Sequence, residues 1–249
     1  MADSIRPPLH VERRGDRVVA TLDRPATRNA IDLAAIDALH ALCAELEQEP
    51  AILILTGADG VFASGADIAQ LRERGADDAR RGINTHAFSR VADLPMPVIA
   101  AIDGYALGGG AELAYAADLR LGTPRTRIGN PETGLGIIAA AGATWRLPRI
   151  VGEARAAELL LTGRILDADE ALAWGLVSAV HDPDDLLDAA HAVADRIAAN
   201  DPVATRHTKT ALRAPAGAHP QLELELQAEL FERPEKAERM TRFLERRRT

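Results

Sequence analysis

Residues 102–118, Ile102 to Asp118, read IDGYALGGGAELAYAAD, and this stretch decides the fold. Three consecutive glycines, Gly108, Gly109 and Gly110, stand just ahead of an apolar, helix-like run that carries one carboxylate, Glu112. A glycine run lets the backbone approach a ligand closely and aim its N–H groups at it. A helix that begins there leaves its first N–H groups unpaired and turns its positive dipole end toward an anion. A developing oxyanion is one such anion, and a glutamate one turn further on acts on the same substrate. The pattern points to a reaction in which a carbonyl oxygen gains negative charge beside a carboxylate. The bland alternative is a tight strand-to-helix turn without a ligand, with Glu112 merely complementing the helix dipole. The run is neither a G-x-G-x-x-G dinucleotide fingerprint nor a phosphate loop, since no Lys-Ser/Thr follows it.

The neighbours of Glu112 are Ala111, Leu113, Ala114, Tyr115 and Ala116. Such surroundings desolvate a carboxylate and raise its pKa, which suits acid/base work. Two other segments fit beside it. Val61 to Ile68, VFASGADI, follows an apolar strand-like run and offers a second backbone N–H for the same oxygen; its bland reading is a strand-to-helix connection with Asp67 near the helix start. Ser64 is a weak nucleophile candidate, because the G-x-S-x-G elbow is absent. Ile128 to Gly136, IGNPETGLG, places Glu132 after Pro131 in a glycine-bounded loop. Alone it reads as a solvated carboxylate; paired in space with Glu112 it completes a two-carboxylate site.

Outward from these segments, Leu9–Arg13 and Arg17–Leu22 predict a hairpin around Gly15–Asp16. Ile31, Ala35, Leu39, Leu42 and Leu46 recur at helical spacing, with Asn29 as N-cap. The runs at 51–56 (AILILT) and 97–102 (PVIAAI) are continuously apolar, as buried strands are. Helices are expected over 68–74 and 78–92, the second ended by Pro95 and Pro97, then from about Gly109, with a short strand over 119–122. Beyond Gly122 helices are expected over 155–161, 168–174, 184–199, 202–212, 221–231 and 234–247. The fold class is therefore α/β: strand-strand-helix units over residues 1–190, then a helical region over 191–249, with APAGAHP (214–220) as the best linker.

The chain has 249 residues, 47% of them apolar, enough for one substantial core. A net charge of −8 disfavours wholesale nucleic-acid binding. The single cysteine, Cys43, forms no internal disulfide and reads as a core residue. The first ten residues do not look like a signal peptide, and no run is long enough to span a membrane, so a cytoplasmic location is expected. The seven histidines show no metal-binding spacing, and no metal site is expected. The terminal ERRRT reads as a solvated basic tail, with anion binding by Arg246, Arg247 and Arg248 as the alternative.

Taken in order, FASGADI, PVIAAIDGYALGGGAELAYAAD and NPETGLGI resemble the enoyl-CoA hydratase/isomerase (crotonase) superfamily, and most of all its enoyl-CoA hydratases. LTGRILDADEALAWGLVSAV (161–180) is similar to a later signature of that family, and the likeness runs from about Val11 to the C-terminus. The resemblance implies a crotonase-like spiral of strand-strand-helix units and a helical C-terminal region that builds a homotrimer, two of which stack into a hexamer. It implies an acyl-CoA thioester substrate, with no cofactor beyond the coenzyme A that the substrate itself carries, and a place in fatty acid oxidation or related acyl-CoA catabolism. It sets the thioester oxygen between the backbone N–H groups of Ala66 and Gly109. Ser64, Ala66, Asp67, Ile68 and Ala69 match the loop that wraps the coenzyme. Glu112 would position and deprotonate the water that attacks the β-carbon, and Glu132 would deliver a proton to the α-carbon.

The chain departs from the pattern in two places. Ala69 stands where family hydratases often carry a lysine, so the phosphate contact is either missing or supplied by arginine, with Arg28 and Arg246 the candidates. AAAGATWR (139–146) replaces P-G-A-G-G-T-Q-R, with Trp145 where a smaller polar residue is usual, near the expected acyl pocket. The alternatives are a double-bond isomerase or acyl-CoA hydrolase on the same scaffold, and a non-catalytic relative that binds acyl-CoA or RNA. Two glutamates argue against the isomerase, which needs one. The acidic balance argues against RNA.

Overall fold

A computed structural model of the chain describes residues 7–246. The leader and tail readings that rest on residues 1–6 and on Arg247 and Arg248 lie outside them. The chain starts with the expected hairpin, β1 (Leu9–Arg14) and β2 (Arg17–Leu22), and continues into α1 (Leu33–Gln48) and β3 (Ile52–Gly57). Next come α2 (Ile68–Arg72), α3 (Ala76–Arg80), α4 (Ile83–Ala92), β4 (Val98–Ile102), β5 (Tyr105–Leu107) and α5 (Gly109–Ala116). These are followed by β6 (Leu119–Gly122), β7 (Arg127–Gly129), α6 (Ala143–Val151), α7 (Glu153–Thr162), β8 (Ile165–Leu166), α8 (Ala168–Ala173) and β9 (Ala179–Val180). The last helices are α9 (Leu186–Ala198), α10 (Pro202–Arg213), α11 (Gln221–Phe231) and α12 (Pro234–Arg246).

Two sheets result. The larger has the order β1-β2-β3-β4-β6-β9, and the smaller β5-β7-β8. In the larger sheet only β1–β2 is antiparallel. Every residue of β4 is buried, as both faces of a parallel strand are when helices or a second sheet cover them. The spiral follows from the pairing. After β3, Ala63 forms a parallel bridge to Ala106 of β5. After β4 the chain enters β5, and after β6 it enters β7, which pairs parallel to β5. Each turn therefore lays one strand in the large sheet and the next in the small one.

Several expectations are corrected. The cap of α1 is Asp32, whose side chain accepts from the Ala35 amide, and not Asn29. Asn29 is buried; its side chain accepts from the Arg24 amide and donates to the carbonyls of Ala58 and Val61, fixing the loop before α1. Ile31 is buried because it bridges to Ala66, so the apolar periodicity begins ahead of the helix itself. The helix expected over 78–92 is two, α3 and α4, parted at Gly82 in the left-handed region (φ 57°). The helix expected over 68–74 ends at Arg72.

By its internal contacts the chain divides between Ala194 and Asp195, inside α9 and a few residues past the expected border. In the C-terminal unit Asp201 caps α10, its Oδ1 accepting from the amides of Val203 and Ala204 and from Arg233 Nη1 at 2.7 Å. The expected linker 214–220 contains a 3-10 turn over Ala216–Ala218. No helix among the described residues is long and apolar enough to cross a membrane.

Helix α5 is the centre of the spiral, with all eight residues buried. It packs so tightly on the chain after β3 that a Cβ on Gly110 would stand 2.4 Å from the Ala63 carbonyl oxygen and 2.8 Å from the Ala63 Cβ. Alanine is the better helix former by about 1 kcal/mol, but overpacking costs about 1–3 kcal/mol and forces backbone shifts. Gly110→Ala is expected to lower the midpoint of urea and thermal unfolding. Gly217→Ala, which meets open space, is expected to stay within about 0.5 kcal/mol of the parent.

Candidate active site

The glycines open α5 and admit the carboxylates. Gly108 has φ 51° and ψ −123°, a region that side chains disfavour, and a Cβ there would lie 3.2 Å from Glu132 Oε1. Its amide donates to Gly129 O at 2.9 Å, which ties the helix start to β7 and so to the loop that bears Glu132.

Glu112 lies in the first turn of α5 with 4% of its surface exposed. Its Oε1 accepts from the backbone amides of Ala141 (2.7 Å) and Ala143 (3.1 Å). Burial pushes its pKa up to about 7, the like charge of Glu132 adds to the rise, and the two amides and Arg146 oppose it. Oε2 has no hydrogen-bond partner among the described residues and is the oxygen left for a ligand. Glu132 lies in the 3-10 turn Pro131–Leu135, 8% exposed. Its Oε1 accepts from Asn130 Nδ2 at 3.3 Å, while its Oε2 is buried with no hydrogen-bond partner. Burial raises its pKa as well, against the Asn130 hydrogen bond, which lowers it.

The backbone donors come together from the two expected segments. Ile31 donates to Gly65 O and accepts from the Asp67 amide. In a parallel bridge of this kind successive amides alternate in direction, so the Ala66 N–H points to the opposite side. There it meets α5: a Cβ built on Gly109 would stand 3.3 Å from Ala66 N. Neither the Ala66 nor the Gly109 amide donates a hydrogen bond among the described residues.

A cavity of about 460 Å³ lies against these groups, lined by Ser64, Ala66, Ile68, Gly109, Glu112 and Glu132 among others. Leu71, Leu107, Leu135, Ile137 and Ile138 add apolar wall; Arg74, Asp78 and Asn84 add polar wall. Ser64 Oγ donates to Thr27 O at 3.2 Å, so its hydroxyl is tied to the backbone with no base beside it. Asp67 caps α2 by accepting from the Gln70 amide at 3.0 Å, and Ala69 is exposed on that helix. Arg28 is joined to the site through its carbonyl, which accepts from the Ser64 amide, while its side chain is exposed. Arg246 ends α12 in the C-terminal unit. Ala140 and Ala141 of the divergent segment line the cavity, whereas Trp145 is 40% exposed and stacks with Arg146 at 5.0 Å, away from that lining. Among the described residues no three metal-ligating side chains gather as they would around a metal ion.

Residue-by-residue reading assigned no role to the Ala141 and Ala143 amides, which no side-chain pattern can signal. It also assigned none to Asn130 and Tyr115. Both stand in the quoted segments, but only their spatial adjacency reveals them.

The model of the enoyl-CoA hydratase/isomerase family matches residues 15–249. The short-chain-enoyl-CoA hydratase of Clostridium acetobutylicum is 37% identical over 246 residues, 95% of this chain and 94% of its own. The crotonyl-CoA hydratase of Syntrophomonas wolfei is 35% identical over 95% of each chain. Among solved structures, an enoyl-CoA hydratase from Bacillus anthracis superposes with a TM-score of 0.90 at 33% identity over 96% of both chains. With the spiral, the glycine-opened helix and both carboxylates in place, the chain belongs to the enoyl-CoA hydratase/isomerase family.

Proposed function

We infer that this protein is an enoyl-CoA hydratase, a hydro-lyase that adds water across the double bond of a trans-2-enoyl-CoA to give the 3-hydroxyacyl-CoA. The observation that carries the reading is one cavity wall bearing two buried carboxylates and two undonated backbone amides. In this reading the thioester oxygen sits between the Ala66 and Gly109 amides. Glu112 Oε2 takes a proton from water as the water oxygen bonds to the β-carbon. The double-bond pair moves toward the α-carbon and the thioester oxygen, where the two amides stabilise the enolate charge. The enolate then takes a proton from the Glu132 carboxylic acid at the α-carbon. Glu112 is left protonated and Glu132 ionised, and return of that proton resets the site. No oxidation state changes, so the chemistry calls for no cofactor beyond the coenzyme A of the substrate.

The loop Ser64–Ala69 would hold the coenzyme, with Arg28 toward its phosphates and Arg246 reaching the coenzyme of a neighbouring subunit. Leu212, Leu224, Phe231, Met240 and Phe243 leave half or more of their surface exposed in the C-terminal helices. Patches of this kind mark association surfaces and support a homotrimeric or hexameric assembly. A cytoplasmic location and a part in fatty acid oxidation belong to the same reading.

Glu112→Gln and Glu132→Gln are each expected to lower kcat by about 10²–10⁴-fold. The assay is loss of the conjugated enoyl-thioester absorbance, with the product weighed by mass spectrometry. Unchanged rates would overturn the assigned roles, and a product of unaltered mass would identify an isomerase. Because two interacting acids share one proton, kcat/KM is expected to be bell-shaped in pH. It falls at low pH when a second proton occupies the base and at high pH when the last proton leaves the acid. Burial favours the neutral form of both groups, so both limbs lie above the ordinary range near pH 4.3. The charge of Glu132 raises the pKa of Glu112, itself about 7. The alkaline limb reports loss of the Glu132 proton, so in Glu132→Gln it is expected to vanish from the residual activity, while the acid limb stays because glutamine is uncharged like the protonated acid it replaces.

A further inference from the structure

Behind Glu132 runs a buried chain of hydrogen bonds that the mechanism does not use. Tyr115, on α5 one turn beyond Glu112, donates its hydroxyl to Asn130 Oδ1 at 3.0 Å. Asn130 Nδ2 faces Glu132 Oε1 at 3.3 Å and Gly108 O at 3.5 Å. Tyr115 and Asn130 are 2% and 1% exposed. We propose that Tyr115 and Asn130 are positioning residues that dictate which oxygen of Glu132 carries the transferable proton.

The argument is one of donor and acceptor matching. An asparagine amide presents an acceptor on one side and a donor on the other, and packing alone does not choose between its two orientations. Tyr115 chooses: its O–H needs an acceptor, so Oδ1 turns to it and the NH₂ turns to Glu132. The Gly108 carbonyl, an acceptor only, lies at 3.5 Å and adds little to that choice. Glu132 Oε1 then faces a donor and must act as acceptor. When Glu132 is protonated, the proton is placed on Oε2, the oxygen with no hydrogen-bond partner in the protein. A proton with no competing acceptor is ready for the α-carbon. Gly108 belongs to the device through its missing side chain, which leaves room for Oε1.

This inference rests on the assignment of Glu132 as the proton donor, and the test separates the two. Tyr115→Phe removes one oxygen and leaves the Asn130 amide free to turn its carbonyl toward Glu132. Its effect is read in two backgrounds, the parent enzyme and Glu132→Gln, with a saturating trans-2-enoyl-CoA and thermal unfolding as a check on folding. In the parent, kcat is expected to fall roughly 10-fold, the equivalent of one hydrogen bond, with KM unchanged. In Glu132→Gln the same change is expected to cost nothing further, since there is no proton left to direct. The pH profile is a second readout. The Asn130 donor favours the ionised form of Glu132, so its loss raises that pKa and moves the alkaline limb upward. The other charged groups in reach are Glu112, with Arg146 acting on Glu112 and Arg120 acting on Tyr115. Should Tyr115→Phe fold poorly, Asn130→Asp supplies the second variant: it keeps an acceptor for Tyr115 but replaces the donor facing Glu132, with the same expected loss of kcat and the same upward limb. An equal loss in both backgrounds, or no loss in either, overturns the inference while leaving Glu132 in its role. Full activity of Glu132→Gln by itself overturns both.

Discussion

Gly110 rests on Ala63, and the geometry of the site depends on that contact. The chain after β3 enters the small sheet at Ala63, through its bridge to Ala106, and reaches Ala66 three residues later. Helix α5 approaches this segment so closely that no Cβ fits between them. One packing distance therefore sets how far the first amide of α5 stands from the amide of Ala66. Both sides are rigid for separate reasons. Ala66 is held by its bridge to Ile31, and α5 is buried on every face. In the proposed mechanism donors fixed in this way need no reorganisation when charge develops, which is the condition under which hydrogen bonds stabilise a transition state most.

The same burial creates an electrostatic problem that the fold resolves unequally for the two acids. A carboxylate moved out of water without a partner costs several kcal/mol or takes up a proton instead. Glu112 receives two backbone amides on one oxygen, and these cannot rotate away. Glu132 is held by its own backbone amide and by the side-chain amide of Asn130, which in turn accepts from the Tyr115 hydroxyl. Both groups are pushed toward neutrality by burial, and each keeps one oxygen without a protein donor. The pair therefore resembles two acids holding one proton between them more than two independent carboxylates.

How much of this was legible in the sequence varies by segment. β3 and β4 announced themselves as continuous apolar runs, and the start of α5 was marked by its glycines. The three-residue β5 and β7 and the two-residue β8 and β9 were not found, because strands that short carry no periodicity and gain their pairing only from the turn of the spiral next to them. α6 was hidden by Gly142 at its start and Pro148 within it, both of which read as loop. Ile31 misled the placement of the first cap: it is buried for the sake of Ala66, not for α1. Glu112, Glu132, Ala66 and Gly109, which the order of three segments singled out, line one cavity in the structure. The groups that tune the acids were not found, because they are main-chain amides or side chains that come together only once the spiral closes.

Glu132 Oε2 shows why such a site is not simply a stable one. A buried oxygen without a donor in the protein costs on the order of 1–3 kcal/mol, and a donor side chain set against it would be one chemical means of satisfying it. The donor that repaired the fold would also favour the ionised form of Glu132 and draw its pKa down toward the ordinary carboxylate range. Less of the acid would then hold its proton near neutrality. Under the role proposed for Glu132, stability and proton donation make opposite demands on a single atom. The strained backbone of Gly108, whose missing side chain leaves the space for that carboxylate, is a second concession of the same kind.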